Sequence, residues 1–435
     1  MKDKSLHPLR TEAAELASAL KTLVFYRDLQ DFSCFRCYIE LLDAYAEDQT
    51  ETFSRRYAAW NRALIEESEE ASWPYWLAGR ILMSVNPVSR GFAEDTLWHD
   101  ALRRELAALK EALEKGGSYW AGLLHERTPE KHFPLYDRGM KPLKITEEGF
   151  CSAFLNMQER LLGEDPPSIE ELLIFHRRNG FGLTAKYRAL LHRPEGLCGI
   201  ERLDPVLPDD LFDYSGNLDK LKENTENLLA GKEAAHVLLY GTRGCGKSSA
   251  VKAMVNAYEK EGLRLIEINP RHLEGLAEIM AKTEHSSLYY ILFIDDLSFR
   301  STDTEYTELK SFLQGGAMDI PSNCRLYVTS NRRHLVPEMM DESRQEIYEN
   351  DGIDERVSLS DRFGLKLHFL APLQREYLDL VHFLAVEAGL SLPDPALDRE
   401  ALAFALKQGH RSPREASLFI RHYLNKQEKN EGAPS

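Results

Sequence analysis

Apolar positions along this chain follow two different periods, and the change between them divides it. Up to about Pro194 they recur at helical spacing: Phe53, Tyr57, Trp60 and Leu64 share one face, and Leu102, Leu106, Leu109 and Leu113 another. Trp73-Pro74-Tyr75-Trp76 and Val85-Asn86-Pro87 read as breaks between helices, and Asn179-Gly180-Phe181-Gly182 as a turn. This half predicts an all-α domain. From Asp209 onward short apolar runs take over, at 236–240, 264–268, 289–294, 325–329 and 365–369, with helical patterns between them. Buried strands alternating with helices predict a parallel sheet covered on both faces. Beyond Pro372 the helical period returns, with Tyr377, Leu380, Val381, Leu384 and Ala388 on one face and a last helix from about Pro413 to Asn425. The expected organisation is a helical domain over 1–194, a linker over 195–208, an α/β domain over 209–371, a helical segment over 372–427 and a tail over 428–435.

The first of these strands runs into Gly241-Thr242-Arg243-Gly244-Cys245-Gly246-Lys247-Ser248 and leaves through Ser249 into a helix whose Val251, Met254, Val255 and Tyr258 share a face. The spacing is that of a phosphate-binding loop, G-x-x-x-x-G-K-[ST]. Small residues let consecutive backbone N–H groups turn toward phosphate oxygens, and the following helix adds its positive dipole end. Lys247 is expected to reach the β- and γ-phosphates, and the Ser248 hydroxyl to be a Mg²⁺ ligand.

Four further segments fit around that loop. The strand Ile291-Leu292-Phe293-Ile294 ends in Asp295 and Asp296 at the sheet edge where ligands bind in such folds. Asp295 is expected to hold Mg²⁺, through water, and Asp296 to orient or deprotonate the attacking water. Asn331, closing Tyr327-Val328-Thr329-Ser330, is placed to touch the γ-phosphate or that water, with a turn asparagine as the plainer alternative. Arg362, in Ser358-Leu359-Ser360-Asp361-Arg362-Phe363-Gly364, is the candidate for completing a neighbouring subunit's site, with Arg356 as runner-up. Arg414, at the head of the last helix, is the candidate for folding onto the γ-phosphate, with Arg411 as its alternative.

Composition narrows the picture only slightly. At 435 residues the chain exceeds one core, and 43% hydrophobic with 29% charged residues is ordinary for a globular protein. A net charge of −16 argues against a broad nonspecific nucleic-acid surface, although it leaves room for a local basic path. No apolar run approaches the ~18 residues of a membrane span. With six cysteines in no disulfide-like arrangement, the expected compartment is the cytoplasm. Cys34-Phe35-Arg36-Cys37 lacks the second ligand pair that zinc needs and reads as two buried helical thiols. The groups Trp73, Tyr75, Trp76, Trp98, Tyr119 and Trp120 read as core rather than as a base-stacking platform.

Phosphate loop, Asp-Asp strand end, strand-end Asn, Asp-Arg-Phe and a helical tail with its own Arg, in this order, resemble an AAA+ ATPase module from about Asp209 to Asn425. More narrowly, the runs beginning at Leu238, Asp295, Thr329 and Ser358 resemble an uncharacterised bacterial family of predicted AAA+ ATPases, catalogued as a domain of unknown function. The resemblance implies a P-loop α/β fold with a five-stranded parallel sheet in the order 5-1-4-3-2 and a C-terminal helical lid. It also implies ATP and Mg²⁺ as ligands, with adenine near 211–216, hence contacts from Phe212 and Tyr214. Hydrolysis to ADP and phosphate by a homo-oligomer, with an unknown protein partner on the N-terminal helices, follows as an expectation. The alternative is a nucleotide-dependent switch or loader that grips a protein or nucleic-acid partner and hydrolyses slowly. Two residues depart from the pattern: Asp296 stands where Glu is usual, which bears on turnover, and Cys245 lies inside the loop, which bears on sensitivity to oxidation.

Overall fold

The computed structural model describes residues 6–68, 72–87, 89, 98–127, 147–284, 286–298, 309–310, 312–313, 320–331, 359–390 and 395–431. They fall into two compact units, one of residues 1–188 with 199–202, the other of 189–198 with 203–435.

The first unit is helical. Its elements are α1 (Leu6–Lys21), α2 (Ser33–Ala46), α3 (Thr50–Glu67), α4 (Trp73–Met83), α5 (His99–Glu114), α6 (Gly117–Arg127), α7 (Ser152–Leu162), α8 (Ile169–Asn179) and the single turn α9 (Leu183–Lys186). The helical period of the sequence maps directly onto its core. Phe53, Tyr57, Trp60 and Leu64 are buried, as are Leu102, Leu109 and Leu113, while Leu106 is only half-buried. The 73–76 stretch begins α4 instead of breaking a helix: Pro74 sits in the first turn, where no N–H is required of it. Its tryptophan is the centre of an aromatic core, with the Tyr38 ring stacked on Trp73 at 4.3 Å and Trp60 edge-on at 5.3 Å. Among the aromatic groups Tyr119 is half-buried and Trp98 is exposed, at 50%. Cys34 is buried and Cys37 half-buried on α2, and none of the six cysteines forms a disulfide. No cluster of metal-ligating side chains occurs among the described residues. The capping box of Ser168 and Glu171 starts α8, and Gly180 at φ 76° ends it.

The second unit is built on one sheet. Its strands are β1 (Ala189–Arg193), β2 (Gly196–Gly199), β3 (Val237–Gly241), β4 (Leu263–Ile268), β5 (Tyr289–Ile294), β6 (Cys324–Ser330) and β7 (Leu365–Phe369), in the order β2-β1-β4-β5-β6-β3-β7. The five strands read from the apolar runs are present and mutually parallel. The expected five-stranded sheet is nevertheless corrected to seven, and the full order differs accordingly. Residues 189–199, read as the end of the helical half and a linker, add a hairpin at the β4 edge, with β1 parallel to β4. Its strands are short, and their Gly, His and Arg content masks them from a search for apolar runs. Around the sheet lie α10 (Asn217–Leu229), α11 (Lys247–Tyr258) and α12 (Leu276–Thr283). Five of the six residues of β5 are buried, each aliphatic side chain contributing about 2 kcal/mol. A separate core formed by α13 (Gln374–Glu387), α14 (Pro395–Gln408) and α15 (Pro413–Glu431) packs Tyr377, Val381, Ala401 and Phe419 together. No helix among the described residues is long and apolar enough to cross a membrane.

His176 on α8 gives the helical unit an acid-sensitive point. Burial pushes its pKa down to about 4, while its Nδ1 lies 3.1 Å from the Gly180 carbonyl, a bond the neutral ring makes as donor. Because the folded value lies below the unfolded value near 6.5, the unfolded chain takes up the proton first. The stabilisation is therefore whole above pH 6.5 and is lost as pH falls from 6.5 through 4, amounting to about 3 kcal/mol. All five tryptophans lie in this unit, so their fluorescence follows its unfolding alone. Urea denaturation followed by tryptophan fluorescence should show the midpoint falling between pH 6.5 and 4.5, with a smaller fall in His176→Asn, whose amide keeps the donor without titrating.

Candidate functional site

Strand β3 enters the glycine loop at Gly241, where backbone crowding leaves no room for a side chain. A Cβ there would lie 2.2 Å from the Phe369 carbonyl oxygen, and φ is 130°. The next N–H, of Thr242, donates to that same oxygen at 2.9 Å, fixing the loop to the end of β7. At its far end Gly246, left-handed at φ 84°, turns the chain into α11, so that the first turn of that helix opens under the loop. Arg243 is exposed, and Thr242 and Ser249 are half-buried.

Residues from three separated segments meet here. Lys247 is buried, and its Nζ donates to the carbonyls of Gly241 (3.0 Å) and Thr242 (2.9 Å) and to Asn331 Oδ1 (3.1 Å). Burial pulls its pKa below the ordinary lysine value, and the nearby Asp296 and Asp295 charges act against that fall. The Ser248 hydroxyl donates to Asp295 Oδ1 at 2.6 Å. Asn331 donates through Nδ2 to Asp296. Asp296 holds a left-handed φ of 52°, a conformation Asp tolerates better than most side chains. Ser248 and Asp295 thus present a hydroxyl and a carboxylate side by side, an all-oxygen pair of the kind Mg²⁺ takes alongside its waters and a phosphate.

Thr329 was not singled out from the sequence, yet it joins the two aspartates. Its hydroxyl donates to Asp295 Oδ1 and accepts the Asp296 N–H at 2.8 Å. The available signal was a polar residue one step before the end of an otherwise apolar strand.

Phe212 and Tyr214 line a cavity with Cys245, Gly246, Leu380 and Pro413, beside the loop. Tyr214 is fixed there by its hydroxyl, which donates to the Leu370 carbonyl at 2.7 Å, and Asp213 accepts the N–H groups of Asn217 and Leu218 at the head of α10. Burial pushes the Cys245 thiol above its ordinary pKa, which disfavours the reactive thiolate. Arg414, exposed in the first turn of α15, lies close to the loop: its Cβ is 3.5 Å from where a Cβ on Gly244 would be. Arg411 is half-buried two positions before that helix. Arg362 is exposed, with no hydrogen bond or ion pair of its guanidinium among the described residues. Arg356 lies outside the described residues.

Several solved structures are similar to the chain, all at low identity. A RuvB mutant from Thermotoga maritima is 18% identical, covering 53% of this chain and 68% of its own, with a TM-score of 0.38. The Orc1 protein from Aeropyrum pernix in complex with DNA is 18% identical, covering 52% and 62%, with a TM-score of 0.36. The Thermotoga maritima RuvB Holliday junction branch migration motor is 15% identical, covering 51% and 73%, with a TM-score of 0.31. No curated protein matches the chain. A family model matches residues 184–427, more than half of the sequence, and the chain belongs to that family, described as Protein of unknown function (DUF815).

Proposed function

We propose that this protein is an AAA+ ATPase that binds ATP with Mg²⁺ and hydrolyses it to ADP and phosphate, using the cycle to reposition its helical parts. The observation that carries the reading is the meeting of Lys247, Ser248, Asp295 and Asn331, from three segments of sequence, within hydrogen-bond distance at the head of one helix. Those are the groups in-line phosphoryl transfer to water requires, since its catalysis is positioning and charge stabilisation. Lys247 and the loop N–H groups bind the phosphates. Ser248 and Asp295 hold Mg²⁺, which neutralises charge on the phosphate oxygens. Asp296, steadied by Asn331, accepts the proton of the attacking water. Phe212 and Tyr214 flank the base. Arg362, whose exposed guanidinium has no partner among the described residues, completes a neighbour's site in a homo-oligomer, and Arg414 reports the γ-phosphate to the C-terminal helices.

Asp296 favours a second reading, a nucleotide-dependent switch with slow or partner-stimulated hydrolysis. Its side chain is one methylene shorter than Glu, and its carboxylate accepts from the Asn331 amide.

Phosphate release from ATP, measured over a series of protein concentrations, separates the two. An ATPase with shared sites shows specific activity that rises with concentration and is absent in Lys247→Ala. Arg362→Ala is expected to lower turnover on the order of 10³-fold while leaving ATP binding intact; unchanged turnover contradicts the assignment of Arg362. Asp296→Asn should lower turnover by about 10²- to 10⁴-fold with binding retained. Tight binding without turnover in the wild type selects the switch.

A further inference from the structure

The helical unit carries a groove remote in sequence from every residue of the phosphate-loop site. Two adjoining cavities of about 390 Å³ each share Lys110, Leu113 and Leu161. Each lies in the size range of ligand-binding clefts, ~300–1,000 Å³. Arg103, Leu106, Lys110 and Leu113, spaced three, four and three apart, put one face of α5 along the groove. Pro166, Pro167 and Ile169, leading into α8, also line the first cavity, which is mainly apolar. This explains why Leu106, alone of the four leucines read as one face of α5, is not buried in the core.

The first cavity is lined by two cations and one acid, the second by two acids and one cation. At the first cavity Lys110 is half-buried and has no hydrogen bond or ion pair among the described residues. Arg103 beside it makes an exposed pair with Asp100 at 2.8 Å. The first cavity also holds one acid, Glu170, which is exposed and close enough to Arg103 for the two charges to attract. At the second cavity stand Glu114 and Glu159, with no cation besides the shared Lys110. In a chain of net charge −16, a lysine set in an apolar groove with no partner among the described residues is a local exception that favours an acidic group.

We propose that this groove binds a short extended segment of a partner protein, with an acidic residue at the Arg103–Lys110 end, apolar residues between, and a basic residue at the Glu114–Glu159 end. The inference goes beyond the ATPase reading and does not depend on it. Arg103 and Glu114 are about 16 Å apart along the helix at 1.5 Å per residue, which an extended chain spans in about five residue steps. A hexapeptide with four central apolar residues therefore matches the distance between the two charged ends.

The test uses the full chain without nucleotide and an array of hexapeptides in three sets: one acidic and one basic end, both ends acidic, and both ends basic, with varied apolar centres. The mixed-charge set should be bound best, and Lys110→Glu should weaken its binding by about tenfold or more while Lys110→Glu gains binding to the set with two basic ends. That exchange of preference is not produced by a merely misfolded variant, and tryptophan fluorescence checks the fold. Equal binding of all three sets, or a Lys110→Glu protein that binds as the wild type does, overturns the proposal. Decanoate competing for the groove where no peptide binds assigns it to small amphipathic anions instead and also overturns it. Because no nucleotide is present, absence of ATP turnover leaves this result unaffected, and failure here leaves the ATPase reading standing.

Discussion

The hydrogen bond from Ser248 to Asp295 depends on two strands that are not neighbours. Strand β6 lies between β3 and β5, and the parallel register pairs Leu239 with Thr329 on one side and Ile294 with Val328 on the other. Asp295, one residue past its strand, therefore arrives beside Thr329, which bonds it and the next backbone N–H. The carboxylate is thus held from the sheet on one side and from the head of α11 on the other. A shift of β5 by one residue would exchange the side chains packed on its two covered faces and carry the carboxylate about 3.3 Å along the strand, away from the loop, so the packing of the strand and the position of the acid are one constraint.

The opposite edge of the site is fixed by backbone proximity. Gly241 lets the loop lie against Phe369, Tyr240 stacks on His368 at 4.5 Å, and the Asn217 amide donates to the His368 carbonyl. End of β7, start of α10 and glycine loop are thereby joined, and the cavity lined by Phe212 and Tyr214 opens at that junction. The C-terminal helices reach the same loop at Ser412 and Arg414, so a displacement of α15 would alter contacts at Gly244. Ser412 is itself held in a buried contact with Glu415 in the first turn of that helix, which makes the turn a defined element and not a loose end.

The parts legible in the sequence were those governed by local pattern. The helical faces at 53–64 and 102–113, the five apolar strands and the glycine loop all follow from spacing, and the structure places Lys247, Ser248, Asp295, Asp296 and Asn331 together. Less legible were features that exist only through tertiary contact. The β1–β2 hairpin is too short and too polar to announce itself, and it gains its stability by adding to an existing sheet edge. Thr329 matters only because β6 lies between β3 and β5. Pro74 looked like an interruption because a proline that starts a helix and one that ends it look alike until the first turn is seen. Lys110 carried no signal at all, since a lysine among leucines on a helix is ordinary until the groove it lines is visible.

The most direct test of the account is ATP affinity measured by titration calorimetry with Mg²⁺ and with EDTA, in the wild type and in Ser248→Ala. If the Ser248–Asp295 pair is a metal-dependent nucleotide site, Mg²⁺ should tighten ATP binding in the wild type, and that gain should largely disappear in Ser248→Ala. Equal ATP affinity with and without Mg²⁺ in the wild type, or a gain that Ser248→Ala leaves whole, would contradict it.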